Sequence, residues 1–253
     1  MSVAEEKEGV RLNKYLSEAG VCSRREADRL IEAGEVLIDG IRAVPGIRVL
    51  PGQEVICQGS LVAGKPEEVL LAFHKPRGII CTTADPKAPN TIVDYIGYEE
   101  RIYPVGRLDK DSEGLILLTN DGKLTERLLR SRYGHEKEYI VTVNKPLTKE
   151  FLKGIQEGVW LPELEQRTKP CRADAVGNRT FRIILTQGLN RQIRRMCEQF
   201  GYRVRSLKRI RIMNIRLEKL PVGEWRPVTE AEKRELLKRL GLLEDLEGKD
   251  ERR

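Results

Sequence analysis

The segment best furnished for chemistry is Tyr103-Pro104-Val105-Gly106-Arg107-Leu108-Asp109-Lys110-Asp111-Ser112-Glu113-Gly114-Leu115. Asp109, Asp111 and Glu113 place three carboxylates within five residues, flanked by glycines and by Arg107 and Lys110. A carboxylate beside cations is held ionised, the state that a nucleophile or a general base requires. The cluster precedes the apolar run Leu115-Ile116-Leu117-Leu118. It therefore falls in a loop at a strand mouth, a common place for sites. On chemistry alone, a solvated turn held by local ion pairs is the more ordinary reading.

The elements that would position this loop are legible from periodicity. Val69–Phe73 reads as a short strand running into the turn Lys75-Pro76-Arg77-Gly78, and Glu113–Thr119 as a second strand. Asn120-Asp121-Gly122 ends that strand and caps a short helix carrying Leu124, Leu128 and Leu129. Tyr139–Val143 alternates as a strand, and Thr180–Leu185 reads as another. Arg191–Phe200 is the clearest helix: Ile193, Met196, Cys197 and Phe200 share one face and Gly201 stops it. Thr229 and Glu232 cap a last helix with Leu236, Leu237 and Leu240.

Upstream lies a different unit. Leu12, Tyr15, Leu16 and Ala19 follow helical spacing, closed by Gly20. Ser23-Arg24-Arg25-Glu26 reads as a capping box opening a second helix with Ala27, Leu30 and Ile31 inward. Short strands follow around Asp39-Gly40 and Pro51-Gly52. The expected organisation is α+β: a small domain over residues 9–62, a linker over 63–68, a larger domain over 69–243, and a charged, disordered tail over 244–253.

The 253 residues suffice for two domains. A net charge of +7 favours an acidic partner, most commonly nucleic acid. Cys22, Cys57, Cys81, Cys171 and Cys197 are scattered and odd in number, which argues against a disulfide framework and a zinc site. With His74 and His135 as the two histidines, a His-ligated metal is not expected either. The thiols read as reduced and cytoplasmic. Met1–Gly9 is acidic without an apolar h-region, so no signal peptide is expected, and no membrane-spanning run is visible. There is also no P-loop and no G-x-G-x-x-G.

Arg11, Lys14, Arg24, Arg25 and Arg29 lie on or beside the first two helices, off the apolar stripe. Such a face can grip phosphates, or merely be solvated. Arg11-Leu12-Asn13-Lys14-Tyr15-Leu16, Ala19-Gly20, Ser23-Arg24-Arg25-Glu26-Ala27, Leu30-Ile31 and Gly34-x-Val36-x-Ile38-Asp39-Gly40 resemble the S4 RNA-binding module. The resemblance implies that Arg11, Lys14, Ser23, Arg24 and Arg25 contact RNA. Asn13 stands where that family often has Asp, a departure expected to change little.

The stretch from Gly106 to Gly122, Gly-Arg-Leu-Asp-x-Asp-Ser-Glu-Gly-Leu-x-Leu-Leu-Thr-Asn-Asp-Gly, is similar to the catalytic signature of the RsuA-type pseudouridine synthases. Lys75-Pro76-x-Gly78, Lys137-x-Tyr139-x-Val141, Gln192-Ile193-Arg194-Arg195-Met196, Leu207-x-Arg209 and Gly223-x-Trp225-Arg226 resemble the family's other motifs in order. With the S4 module, the resemblance covers about Val10 to Thr229. It implies a mainly antiparallel mixed sheet with flanking helices. Asp109 takes the place of the catalytic aspartate, acting either on the sugar carbon or on a ribose proton. Tyr139, which shares a strand face with Val141 and Val143 and could equally be a core residue, takes the place of the tyrosine that stacks on the flipped uracil.

Arg194, at the edge of its helix's apolar face, is expected to pair bidentately with Asp109. Arg107, Leu108 and Leu207 would line the pocket. Lys75, Arg191 and Arg195 would touch RNA. Gln187-Gly188-Leu189-Asn190-Arg191-Gln192-Ile193-Arg194-Arg195-Met196-Cys197 and Arg211-Ile212-Met213-Asn214-Ile215 look most like the RluF branch, which modifies 23S ribosomal RNA. The expected partner is therefore ribosomal RNA or a pre-ribosomal particle, met by a monomer without metal or cofactor, at a uridine in a stem-loop. The alternatives are a synthase for 16S ribosomal RNA or a tRNA, and a non-catalytic S4-type ribosome-assembly factor.

Overall fold

A computed structural model describes residues 9–82, 90–130 and 134–243. The expected charged tail over 244–253 and most of the acidic N-terminal stretch lie outside the described residues. The chain forms two compact units. The first runs to Glu68 and takes in Glu99–Arg101 and Asn120–Gly122; the second holds Val69–Tyr98, Ile102–Thr119 and the chain from Lys123.

The first unit holds β1 (Val10–Arg11), α1 (Leu12–Glu18), α2 (Arg24–Ala33), β2 (Val36–Ile38), β3 (Ile41–Arg42), β4 (Arg48–Val49), β5 (Val55–Cys57) and β6 (Ser60–Leu61). Its four-stranded sheet runs β3-β2-β5-β6, and β1 pairs β4. Leu12 and Leu16 of α1 and Ala27, Leu30 and Ile31 of α2 close over Val36, Ile38 and Val55. The Ser23 hydroxyl accepts the Glu26 N–H at 3.2 Å, while the Glu26 carboxylate pairs with Arg29. Asn13 donates to the Asp28 carboxylate at 2.9 Å. An aspartate at 13 would face that carboxylate and repel it, so the asparagine fits its partner.

The second unit continues with β7 (Leu70–Lys75), α3 (Ile92–Ile96), β8 (Tyr103–Pro104), β9 (Glu113–Thr119), α4 (Gly122–Leu129), β10 (Lys137–Val143) and α5 (Lys149–Glu157). Then come β11 (Trp160–Leu161), β12 (Gln166–Arg167), β13 (Arg172–Gly177), β14 (Thr180–Leu185) and α6 (Gln192–Gln199). β15 (Val204–Ile212), β16 (Ile215–Arg216), β17 (Trp225–Pro227) and α7 (Glu230–Leu240) complete it. A nine-stranded sheet runs β13-β14-β10-β15-β9-β7-β17, with β16 on β15 and β8 on β9. β15 pairs parallel with β9, and the other pairings are antiparallel.

The central strands are buried on both faces, which is why their sequences read as unbroken apolar runs. Successive side chains alternate between two cores. Phe73, Ile116 and Leu118 enter one core, with Phe151 and Ile155 of α5 and Ile193, Met196 and Cys197 of α6. Ala72, Leu115 and Leu117 enter the other, with Leu124 and Leu128 of α4 and Leu236 and Leu237 of α7. Thr229 and Glu232 close the complete capping box that opens α7. Among the described residues, no helix is long and apolar enough to cross a membrane.

Candidate active site

The loop between β8 and β9 carries Asp109. Backbone bonds set its shape: the Ser112 N–H donates to the Asp109 carbonyl at 3.0 Å, and the Gly78 N–H to the Lys110 carbonyl at 2.7 Å. Lys75, at the end of β7, is 0 % exposed and donates to the carbonyls of Ser112 and Pro76, both at 2.9 Å. Burial holds this ammonium below the ordinary lysine range, while Cys81, Asp109 and Asp111 pull the other way. The expectation that Lys75 touches RNA is therefore corrected. The strand alternation and the depth of β7 seal its head group beneath the loop, where its donors hold the loop's carbonyls.

A second correction concerns Arg194. It lies buried on α6, but its Nη2 sits 3.1 Å from Asp111 Oδ2, 3.2 Å from the Asp111 carbonyl and 3.3 Å from Ser112 Oγ. The turn closed between Asp109 and Ser112 directs Asp111 toward α6. The cation that reaches Asp109 is Arg191, whose Nη1 is 3.8 Å from Asp109 Oδ2 and 3.4 Å from Asp111 Oδ1. Arg191 is exposed and occupies the N-cap position of α6 in the left-handed region, at φ 51°. A non-glycine residue held there costs on the order of 1–3 kcal/mol, and such strain clusters at functional sites.

Asp109 borders a cavity of about 440 Å³ whose walls include Arg107, Leu108, Tyr139, Arg194 and Leu207. Tyr139 is 9 % exposed and belongs to the apolar core as well as to this wall, so the two readings of it are compatible. Tyr139 lies opposite Arg209, and Val141 opposite Leu207, across β10 and β15. Opposed residues of an antiparallel pair share a face, so Tyr139, Leu207 and Arg209 project together.

Lys137, Arg209 and Gln187 also line the cavity, and sequence reasoning gave them no role. The signal existed: Lys137 and Arg209 each stand two residues from a pocket residue on the same strand, which returns them to the same face. Burial, and secondarily Arg209, pushes Lys137 down to about 8.

The remaining expected contacts divide. In the first unit Arg11, Arg24 and Arg25 are exposed, Lys14 pairs with Glu18 at 3.7 Å, and the Ser23 hydroxyl is occupied as the α2 cap. In the second, Arg195 bonds Asn190 and lies 3.2 Å from Glu163.

Comparison with known proteins identifies the family. The RNA pseudouridylate synthase family matches residues 69–199, and the S4 domain matches residues 10–55. The chain is 53% identical over 231 residues to the dual-specificity RNA pseudouridine synthase RluF of Escherichia coli strain K12, covering 90% of this chain and 79% of that one. It is 36% identical over 242 residues to the ribosomal large subunit pseudouridine synthase B of Bacillus subtilis strain 168, covering 93% and 97%. A crystal structure of a pseudouridylate synthase superposes with a TM-score of 0.67 at 28% identity, covering 90% of this chain and 99% of the other. The chain thus belongs to the RNA pseudouridylate synthase family and is an RNA pseudouridine synthase with an N-terminal S4 domain.

Proposed function

We propose that this enzyme isomerises a uridine in ribosomal RNA, most specifically in a stem-loop of 23S ribosomal RNA, in the cytoplasm and as a monomer. The observation that carries the reading is the placement of Asp109. Its carboxylate stands at the wall of a cavity that holds an aromatic ring, Tyr139, and an apolar side chain, Leu207. A flipped base needs a stacking surface and a shaped pocket, and the sugar beside it needs one carboxylate. Asp109 is that carboxylate, attacking C1′ or removing a ribose proton. Tyr139 stacks on the uracil, Arg107, Leu108 and Leu207 bound the pocket, and Arg194 acts through Asp111 to hold the loop.

Extruding the uridine costs on the order of a few kcal/mol, less from a loop than from a duplex. Arg11, Lys14, Arg24 and Arg25 supply phosphate contacts through the S4 unit, and Arg191 and Arg195 do so near the cavity. The name of the Bacillus subtilis relative supports an RNA of the large ribosomal subunit, and the dual specificity of the Escherichia coli protein supports more than one accepted RNA. The test is tritium release from C5-labelled uridine in 23S and 16S ribosomal RNA and in tRNA. Release is expected from 23S ribosomal RNA and abolished by Asp109→Asn. Release that Asp109→Asn leaves intact overturns the catalytic assignment; release from tRNA alone overturns the ribosomal one.

A further inference from the structure

Residues lining the cavity beside Asp109 carry buried hydrogen-bond donors that lack acceptors. Arg209 is 3 % exposed and spends its Nε on the Leu115 carbonyl, at 2.6 Å, leaving Nη2 buried without a partner. Gln187 is 7 % exposed; its Oε1 accepts the Lys169 N–H at 2.8 Å, which leaves Nε2 buried and unpartnered. Arg194 Nε is in the same condition. Lys137 stands two residues before Tyr139 on β10 and reaches the His135 carbonyl at 3.5 Å, a weak bond. All four side chains border the one cavity, and Asp109 is the sole carboxylate among its described lining residues.

Each orphaned donor in a folded protein costs about 1–3 kcal/mol. Several in one cavity mark a place built for a ligand with several acceptors and, given the cations, negative charge. Uracil is such a ligand, and its detached form more so. When the N1–C1′ bond breaks, the electron pair stays with the base, giving an anion spread over N1, O2 and O4. C1′ is meanwhile taken by the Asp109 carboxylate, or the sugar loses a proton to it; the base leaves as an anion either way. When C5 then bonds to C1′, the carboxylate is released from C1′ or, in the other route, returns its proton to the sugar; the C5 proton is passed on and N1 ends protonated, a net isomerisation.

We propose that Lys137, Arg209 and Gln187 form an anion-stabilising floor, which receives the carbonyl oxygens of the detached uracil and holds its charge while the base turns. This rests on the reading of the Asp109 cavity as the uracil site. Donors fixed in advance around a developing anion act without reorganisation, and one such donor contributes on the order of 10²–10³ in rate.

The test compares wild type, Lys137→Met and Gln187→Leu in single turnovers at saturating RNA. The RNA is a transcribed, unmodified set of 16S and 23S ribosomal RNA and tRNA, made with uridine or with 5-fluorouridine. Conversion is read after digestion as loss of the N1-linked nucleoside to a C5-linked one, because C5 of fluorouridine has no proton to pass on. Fluorine stabilises the departing base as an anion. Lys137→Met is therefore expected to lose about a hundredfold in rate on uridine RNA and at least tenfold less on fluorouridine RNA, with RNA Kd within about twofold. Gln187→Leu follows the same pattern more weakly and serves if the lysine variant does not fold. Equal losses on both RNAs, no loss, or a loss carried by Kd overturns the proposal. Asp109→Asn is run alongside: conversion that survives it sinks the reading of the site itself, whereas its loss with equal losses for Lys137→Met sinks the floor alone.

Discussion

Arg194 Nη2 lies 3.1 Å from Asp111 Oδ2, while the cation nearest Asp109 is Arg191, at 3.8 Å. The buried arginine of α6 thus fixes the loop, and the exposed one touches the carboxylate that would react. A double-mutant cycle on single-turnover rate separates these roles. Arg194→Ala and Asp111→Ala are expected to slow the reaction and to couple by about 1 kcal/mol, since the pair is charge-assisted but Asp111 is half exposed. If Arg194 instead coupled to Asp109 and not to Asp111, the loop would have a different partner in the working enzyme.

Gly114, the second residue of β9, lies directly across the parallel pairing from Arg209, with φ at 119°. A methyl there would collide with the Arg209 backbone, and the conformation is one that other residues rarely adopt. Gly114→Ala should therefore destabilise the second unit by about 3 kcal/mol or more, read as a fall in thermal midpoint. It should also displace Arg209 and lower the rate. A midpoint within a degree of wild type would show that the strands can part without penalty.

Much of this architecture was legible beforehand because its signals are local. The α7 capping box, the face of α6 and the alternation of β10 are written in adjacent residues, and they reappear at Thr229, Ile193 and Tyr139. The fate of Lys75 was not legible, because its head group is sealed by the loop that carries Ser112, thirty-seven residues away. The exchange of partners between Arg191 and Arg194 depends on one left-handed residue at a helix start, which helical periodicity does not encode. Arg209 and Lys137 needed only a period-two reading of two strands plus their pairing register, and the register is the long-range part.

The S4 unit offers a test that separates folding from binding at adjacent residues. Ser23 caps α2, so Ser23→Ala should cost about 1 kcal/mol of stability. Arg24 and Arg25 are exposed and have no comparable task in the fold. Arg24→Ala and Arg25→Ala should leave the thermal midpoint alone, weaken RNA binding, and each reduce the slope of log K against log salt by about 1. An unchanged slope would remove that arginine from the interface.

Lys137 ties function to stability with opposite signs. Its folded value of about 8 lies below the ordinary lysine value of 10.5. Below pH 8 the ammonium is charged in both states, and its burial weakens the fold. Between about 8 and 10.5 the unfolded chain binds more protons, so unfolding free energy should rise with pH and then level off. Lys137→Met lacks this rise and should be more stable than wild type at pH 7, by on the order of 1–2 kcal/mol after allowance for solvent screening. Activity should run the other way, falling as pH passes 8 because the neutral amine no longer supports an anionic base. Denaturant titrations and single-turnover rates over pH 6.5 to 10 measure both quantities on the same protein. A wild type whose activity and stability fell together above pH 8 would be losing its fold rather than the charge on Lys137, and the buried ammonium would have no part in the reaction.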